Sequence, residues 1–370
     1  MKIKCISPLS YPSPLNLTLL SVFIFVRHGA RAPIDNWALP NETGVWTCDA
    51  NDSYAPKYQS YNHQQYRRFH NVLDEKLLVF PPSCDRSQLL VEGMKQHYEL
   101  GNYFRNVFVH QDKFIPEYYD PDLIELRSSY SDRCVRSLIS FMHGLYPPKY
   151  KNEKIELTSG GGGSIEPLNP DPYSCSELIN DYEKFKKSDK FKERRDRAQT
   201  IQKPLYDYLG LKWDGENWQW IGDWLYSFIC SNQSIPKIVT DEMVEIAMSD
   251  TSFYSNTFFR TYKDESVGPI WRYLIGEIDK KLSMEKMTKL TLISGHDTTL
   301  GAILASLGYE LNEIPPYRSH IVTELYIDQN NTPILRFIFN GNVINIRGKE
   351  TISLNEFKIM TASSLSKCKY

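Results

Sequence analysis

The chain has 370 residues, with 43 basic against 45 acidic side chains and a formal net charge of −2. That length accommodates one large domain or two unequal ones with a substantial core, and the near-neutral balance excludes a general attraction to nucleic acid or acidic membranes. Tyrosine (24) outnumbers phenylalanine (17) and tryptophan (7), a bias toward rings that pack with one wet edge, as is common in secreted and carbohydrate-rich proteins.

The opening "MKIKCISPLSYPSP" carries early lysines, but its prolines interrupt what would be the apolar stretch of a signal peptide, so none is supported. The most apolar run, "LTLLSVFIFV" from Leu17 to Val26, is ten residues. A helical membrane span needs roughly 20, so no span is expected and the run reads as a buried strand. It ends on "RHGARAP", Arg27 to Pro33. Residues 36–71 are polar and turn-rich, a loop with short helices. Residues 87–108 place Leu90, Met94, Tyr98 and Phe104 at helical spacing.

"PDLIELRSSYSDRCVRSLISFMHGLYPP" then reads as a short strand ending near Arg127. A helix follows, capped by Ser131 or Asp132 and stopped by Pro147-Pro148. "TSGGGGS" (158–164) reads as a mobile linker, since it lacks the Lys-Ser/Thr and the ensuing helix of a phosphate-binding loop. From 165 to 285 the composition changes. "EKFKKSDKFKERRDR" mixes both signs at helical spacing, a solvated face rather than a nucleic-acid site. Trp213, Trp218, Trp220 and Trp224 suit the core of a helical subdomain, or in part the rim of a substrate pocket. Leu290 to Ser294 forms a second apolar strand that ends at Gly295-His296-Asp297, with a helix after Thr298-Thr299. "ELYIDQNNTPILRFIFNGNVINI" is a hairpin turning at Asn330-Asn331.

The elements predict an α/β fold: a mixed, mainly parallel sheet flanked by helices, with a mainly helical cap inserted. Residues 15–158 and 286–347 make the core, 159–285 the cap and 348–370 a C-terminal tail. Three strands deliver Arg27 to Arg31, Arg127 and His296-Asp297 at their C-terminal ends, the edge where open α/β sheets bind ligands.

Arg27, Arg31 and Arg127 would offer permanent positive forks suited to phosphate oxygens, and their mutual repulsion makes sense with an anion among them. His28 would be kept neutral, and so nucleophilic, by that positive field. The Gly29 carbonyl could fix its tautomer, and Pro33 the exit of the chain. Asp297 is the candidate general acid and His296 a further donor. Either cluster alone is more often structural, and His296 could simply cap the next helix; two such clusters after two apolar strands point to phosphate chemistry at acidic pH.

Seven cysteines stand at 5, 48, 84, 134, 175, 230 and 368, with no C-x-x-C spacing for a metal. Taken singly, each reads as a buried thiol. Sequons at Asn16, Asn41, Asn51, Asn232 and Asn330 are compatible with secretion.

"RHGARAP" matches every fixed position of R-H-G-x-R-x-P, and the chain thereby resembles the histidine acid phosphatases, a branch of the histidine phosphatase superfamily. "SGHDTTLGAILASLG", "GMKQHYELGNYFR", "RSSYSDRCVRSLIS" and "IPPYRSHIVTELYI" extend the resemblance over about residues 20 to 345. It implies phosphomonoester hydrolysis without metal or other cofactor, through a phosphohistidine. In that scheme His28 is the nucleophile, Arg27, Arg31 and Arg127 the clamp, His296 a phosphate contact and Asp297 the proton donor. It also implies a secreted or lysosomal setting and a pairing of Cys175 with Cys368. Cys230 is similar to another half-cystine of the family, whose partner near "PPYRSH" is replaced by His320. Cys48 and Cys84 suit a pair of their own, and their spacing resembles the phosphoxylose phosphatase branch, which makes a glycan substrate the runner-up beside lipid or inositol phosphates. A non-catalytic phosphate- or glycan-binding module is the alternative of a different class; the complete set of six site residues argues against it.

Overall fold

The computed structural model describes residues 3–34, 45–48, 84–148, 154–160, 168–170, 173–213, 215 and 218–369. The expected loop at 36–71 and most of the glycine run lie outside them. In chain order the elements are β1 (Thr18–Arg27), α1 (Val91–Arg105) with a π-helical turn (Asn106–Gln111), β2 (Ile124–Ser128), α2 (Asp132–Leu145) and β3 (Thr158–Ser159). Five helices follow: α3 (Ser176–Lys186), α4 (Asp189–Tyr208), α5 (Trp220–Cys230), α6 (Asp241–Thr261) and α7 (Lys263–Leu282). The chain then returns as β4 (Leu290–Gly295), α8 (Asp297–Ser306), β5 (His320–Ile327), β6 (Pro333–Phe339), β7 (Asn342–Val343), β8 (Thr351–Ser353), α9 (Leu354–Met360) and α10 (Ala362–Leu365).

One eight-stranded sheet runs in the order β3-β2-β4-β1-β5-β6-β7, with β8 also paired to β6. Strands β1, β2, β3, β4 and β6 point one way, and β5, β7 and β8 the other. The unbroken apolar run of β1 follows from its central place, because a strand covered on both faces has no solvent side. Its side chains alternate between two cores. Val22, Ile24 and Val26 pack with Leu100, Phe104, Leu138 and Phe141 of α1 and α2. Phe23 and Phe25 belong to the cluster of Trp271, Leu274, Leu300 and Ile303 from α7 and α8.

Helices α3–α7 follow one another between β3 and β4, the place expected for the insertion. Trp218 and Trp224 are buried there, against Phe191 and Phe228 respectively. Three expectations need correction. Tyr98 is 47% exposed; the buried stripe of α1 runs through Met94, His97, Gly101 and Phe104, because the 3-4-3 spacing keeps to one face whereas steps of four drift around the helix. The segment 348–370 is more than a tail: it adds β8 to the sheet, and α10 packs on α7. Thr158 and Ser159, read as part of a linker, pair with Arg127 and Ser128 as β3.

Three disulfides join Cys5 to Cys230, Cys48 to Cys84 and Cys175 to Cys368. The partner of Cys230 is thus Cys5, on an N-terminal segment that also donates Ser7 N–H to Tyr317 O and the Tyr11 hydroxyl to Glu324. No helix among the described residues is long and apolar enough to cross a membrane. The sequons at Asn16, Asn232 and Asn330 are exposed, whereas Asn41 and Asn51 lie outside the described residues.

Candidate active site

Three parallel strands end level with one another. Arg27 of β1 pairs with Gly295 of β4, and Ser128 of β2 with Ser294. The next residues, His28 to Arg31, Ser129 to Arg133 and His296-Asp297, therefore emerge at one edge of the sheet. The loop after β1 is pinned against two helices. Gly29 N–H donates to Ser137 Oγ of α2 at 3.1 Å and Ala30 N–H to Gln96 Oε1 of α1 at 2.9 Å. A Cβ on Gly29 would stand 2.3 Å from the Gly93 carbonyl oxygen, so only glycine permits this approach.

His28 is buried, and its Nδ1–H donates to the Gly29 carbonyl at 2.9 Å. That bond fixes the tautomer, leaving the lone pair of the neutral ring on Nε2. Burial first, then the positive charges of Arg133, Arg27 and Arg31, hold the imidazole well below the usual histidine range. The His296 ring lies 5.7 Å away, centroid to centroid. Burial and Arg133 push His296 down in the same way. Arg133 Nη2 donates to its Nδ1 at 3.2 Å, so in the neutral ring Nε2–H points to Ser129 Oγ at 2.9 Å.

The arginines are held individually. Arg27 donates to the Pro315 carbonyl, lies 3.7 Å from Asp297 Oδ2 and stacks over Tyr317, with Tyr226 beyond. Arg31 binds Asp223 Oδ1 at 2.7 Å through Nη2, and Ser227 Oγ at 3.3 Å through Nη1. Arg133 also donates to Ser87 Oγ. Asp297 opens α8, where the N-terminal amides favour negative charge. Burial raises its carboxyl, but Arg27, Arg31 and His296 outweigh that and hold it below the ordinary range.

Of the six residues expected at the site, five come together: Arg27, His28, Arg31, His296 and Asp297. Arg127 is placed differently. It lies within β2 rather than beyond it, and strand alternation sends Leu126 to the α1–α2 core and Arg127 to the opposite face. There its guanidinium sits 5.2 Å from the Tyr273 ring of α7. The third guanidinium beside the histidines belongs to Arg133, in the first turn of α2. Its position after the strand end was the available signal. Asp223 and Ser129 were also missed; neither stands in a pattern that marks it.

A family model described as the histidine phosphatase superfamily (branch 2) matches residues 18–340. The chain belongs to this superfamily. It is similar to counting factor 60 of Dictyostelium discoideum, at 26% identity over 94% of this chain and 86% of that protein. It is also similar to prostatic acid phosphatase of Homo sapiens, at 27% identity over 65% of this chain and 66% of that protein. Among solved structures, the phytase from Citrobacter braakii superposes with a TM-score of 0.60 at 15% identity, covering 94% of this chain and 98% of that one. The last likeness is one of fold, and it agrees with the α/β architecture of this histidine phosphatase.

Proposed function

We propose that the chain is a phosphomonoester hydrolase of the acid phosphatase type, working through a phosphohistidine on Nε2 of His28. The observation that carries this reading is the state of His28: tautomer fixed by Gly29, basicity suppressed by burial and three guanidiniums, lone pair directed away from its own loop. The phosphoryl group sits among Arg27, Arg31 and Arg133, which supply the positive charge that a bound metal would otherwise bring. Nε2 attacks phosphorus as the P–O bond to the alcohol breaks, and the departing oxygen takes the proton of Asp297. Water then attacks the phosphohistidine, Asp297 takes back a proton, and inorganic phosphate leaves with the His28 ring restored. His296 accepts from Arg133 at Nδ1 and keeps that guanidinium in place, and with substrate bound its Nε2–H is shared between Ser129 and a phosphate oxygen. Helices α3–α7 act as the cap that selects the alcohol portion, and the class of small-molecule phosphomonoesters is the assigned substrate. Three cystines favour folding in an oxidising compartment, and secretion or lysosomal delivery is the assigned route.

Brief mixing with phosphate-labelled p-nitrophenyl phosphate followed by an alkaline quench should trap acid-labile label on wild-type protein, in the peptide containing His28. Turnover without trapped label at that peptide would remove the covalent step. A chelator in the same assay should leave the rate unchanged.

A further inference from the structure

The charge problem of the site, three guanidiniums converging on two imidazoles, is met from an unexpected quarter. Helix α5 lies against the loop after β1, with Ile221, Trp224, Leu225 and Phe228 buried in the same cluster as Ala30 and Ala32. From that face Asp223 reaches Arg31, and both side chains are almost completely removed from water. One turn on, Ser227 Oγ accepts from the other terminal nitrogen of the same fork, while donating back to the Asp223 carbonyl. Arg31 Nη1 also donates to its own neighbour's carbonyl at Ala32. Both ends of the guanidinium are thus fixed by groups behind it. A buried charge pair of this kind holds geometry strongly, since breaking it leaves an uncompensated charge inside the protein.

The geometry points to Asp223 as a positioning residue of the reaction: it aims Arg31 at the phosphate without itself touching substrate. This rests on the phosphatase reading given above. Asp223→Ala releases one end of the fork, and the affinity for inorganic phosphate, measured as its competitive Ki, falls about tenfold, the size of one hydrogen bond between charged groups. The KM for p-nitrophenyl phosphate rises with it, and kcat changes less. Asp223→Asn keeps an oxygen acceptor at the same place and restores most of the binding. In an Arg31→Ala background, Asp223→Ala costs no more than about twofold further, because the two residues act as one unit.

An equal loss in both backgrounds, or phosphate binding unchanged in Asp223→Ala, overturns the assignment. Should the alanine variant fail to fold, Asp223→Ser, whose shorter side chain withdraws the acceptor from Arg31, decides: wild-type Ki with lowered thermal stability makes Asp223 merely structural, and a raised Ki at wild-type stability supports the positioning role. Wild-type protein that neither turns over p-nitrophenyl phosphate nor binds phosphate would instead retire the phosphatase reading.

Discussion

The two histidines at the sheet edge are alike in burial and in suppressed basicity, yet they are wired differently. His28, after β1, uses one nitrogen on its own backbone and keeps the other for chemistry. His296, after β4, has both nitrogens engaged, one accepting from Arg133 and one directed at Ser129. Burial and positive charge alone therefore do not single out a nucleophile; the hydrogen-bond partner on the far side of the ring does. The first belongs to a self-contained loop, the second to a relay that ends on a guanidinium.

The largest effect that separates the two is deletion of each ring. His28→Ala should lower turnover of p-nitrophenyl phosphate by a factor on the order of 10⁴ or more, the loss of a covalent step. His296→Ala should cost about 10² to 10³, the scale of a lost charge-stabilising donor. Near-normal activity of the first, or the reverse order, would exchange their roles. A second contrast sets the arginines apart. Arg133→Ala should lower kcat/KM by about 10² to 10³ on the same grounds, whereas Arg127→Ala, beside Tyr273, should stay within about threefold, the range of residues outside the site. The opposite ranking would return Arg127 to the phosphate.

A third contrast concerns the proton. In the free enzyme the Asp297 carboxyl lies below the ordinary range. A bound phosphate adds negative charge beside it and raises it, so the complex carries the required proton to higher pH than the free enzyme does. Rising pH removes that proton, and His28, held well below its usual range by burial and the neighbouring guanidiniums, adds no opposing limb on that side. Activity should therefore fall as pH rises, with the limb in kcat lying above that in kcat/KM. Asp297→Asn should slow alkyl phosphates by about 10² to 10⁴ and aryl phosphates with good leaving groups much less. Equal losses on both would take Asp297 out of the acid role. The smallest effect is expected at Ser129, where Ser129→Ala removes one neutral hydrogen bond to His296 and should cost about three- to tenfold in kcat/KM; a loss as large as that of His296→Ala would mean that the serine, rather than the ring, governs the relay.

Much of this arrangement can be read from the chain itself. Two apolar runs give β1 and β4, a short mixed stretch gives β2, and polar clusters after the apolar runs mark where His28, His296 and Asp297 emerge. What escaped has physical reasons. Arg127 and Arg133 are both flanked by suitable residues, and only the strand boundary at Ser128 separates a side chain on the sheet face from one on its edge. Asp223 lies 192 positions from Arg31, and a lone acidic residue in an apolar helix carries no periodic signal of its partner. Cys5 escaped likewise, since pairing depends on the path of the N-terminal segment rather than on spacing.

The place of β1 also sets a timetable for synthesis. Its neighbours on either side, β4 and β5, come from residues 290–295 and 320–327, so a ribosome must release the chain at least as far as β4 before this strand finds a partner. Until then "TLLSVFIFVR" is an unpaired segment of high β-propensity, the kind that invites aggregation. Chaperone shelter during translation is the natural requirement of such a topology, and yield from a heterologous host should depend on it more than on the stability of the finished enzyme.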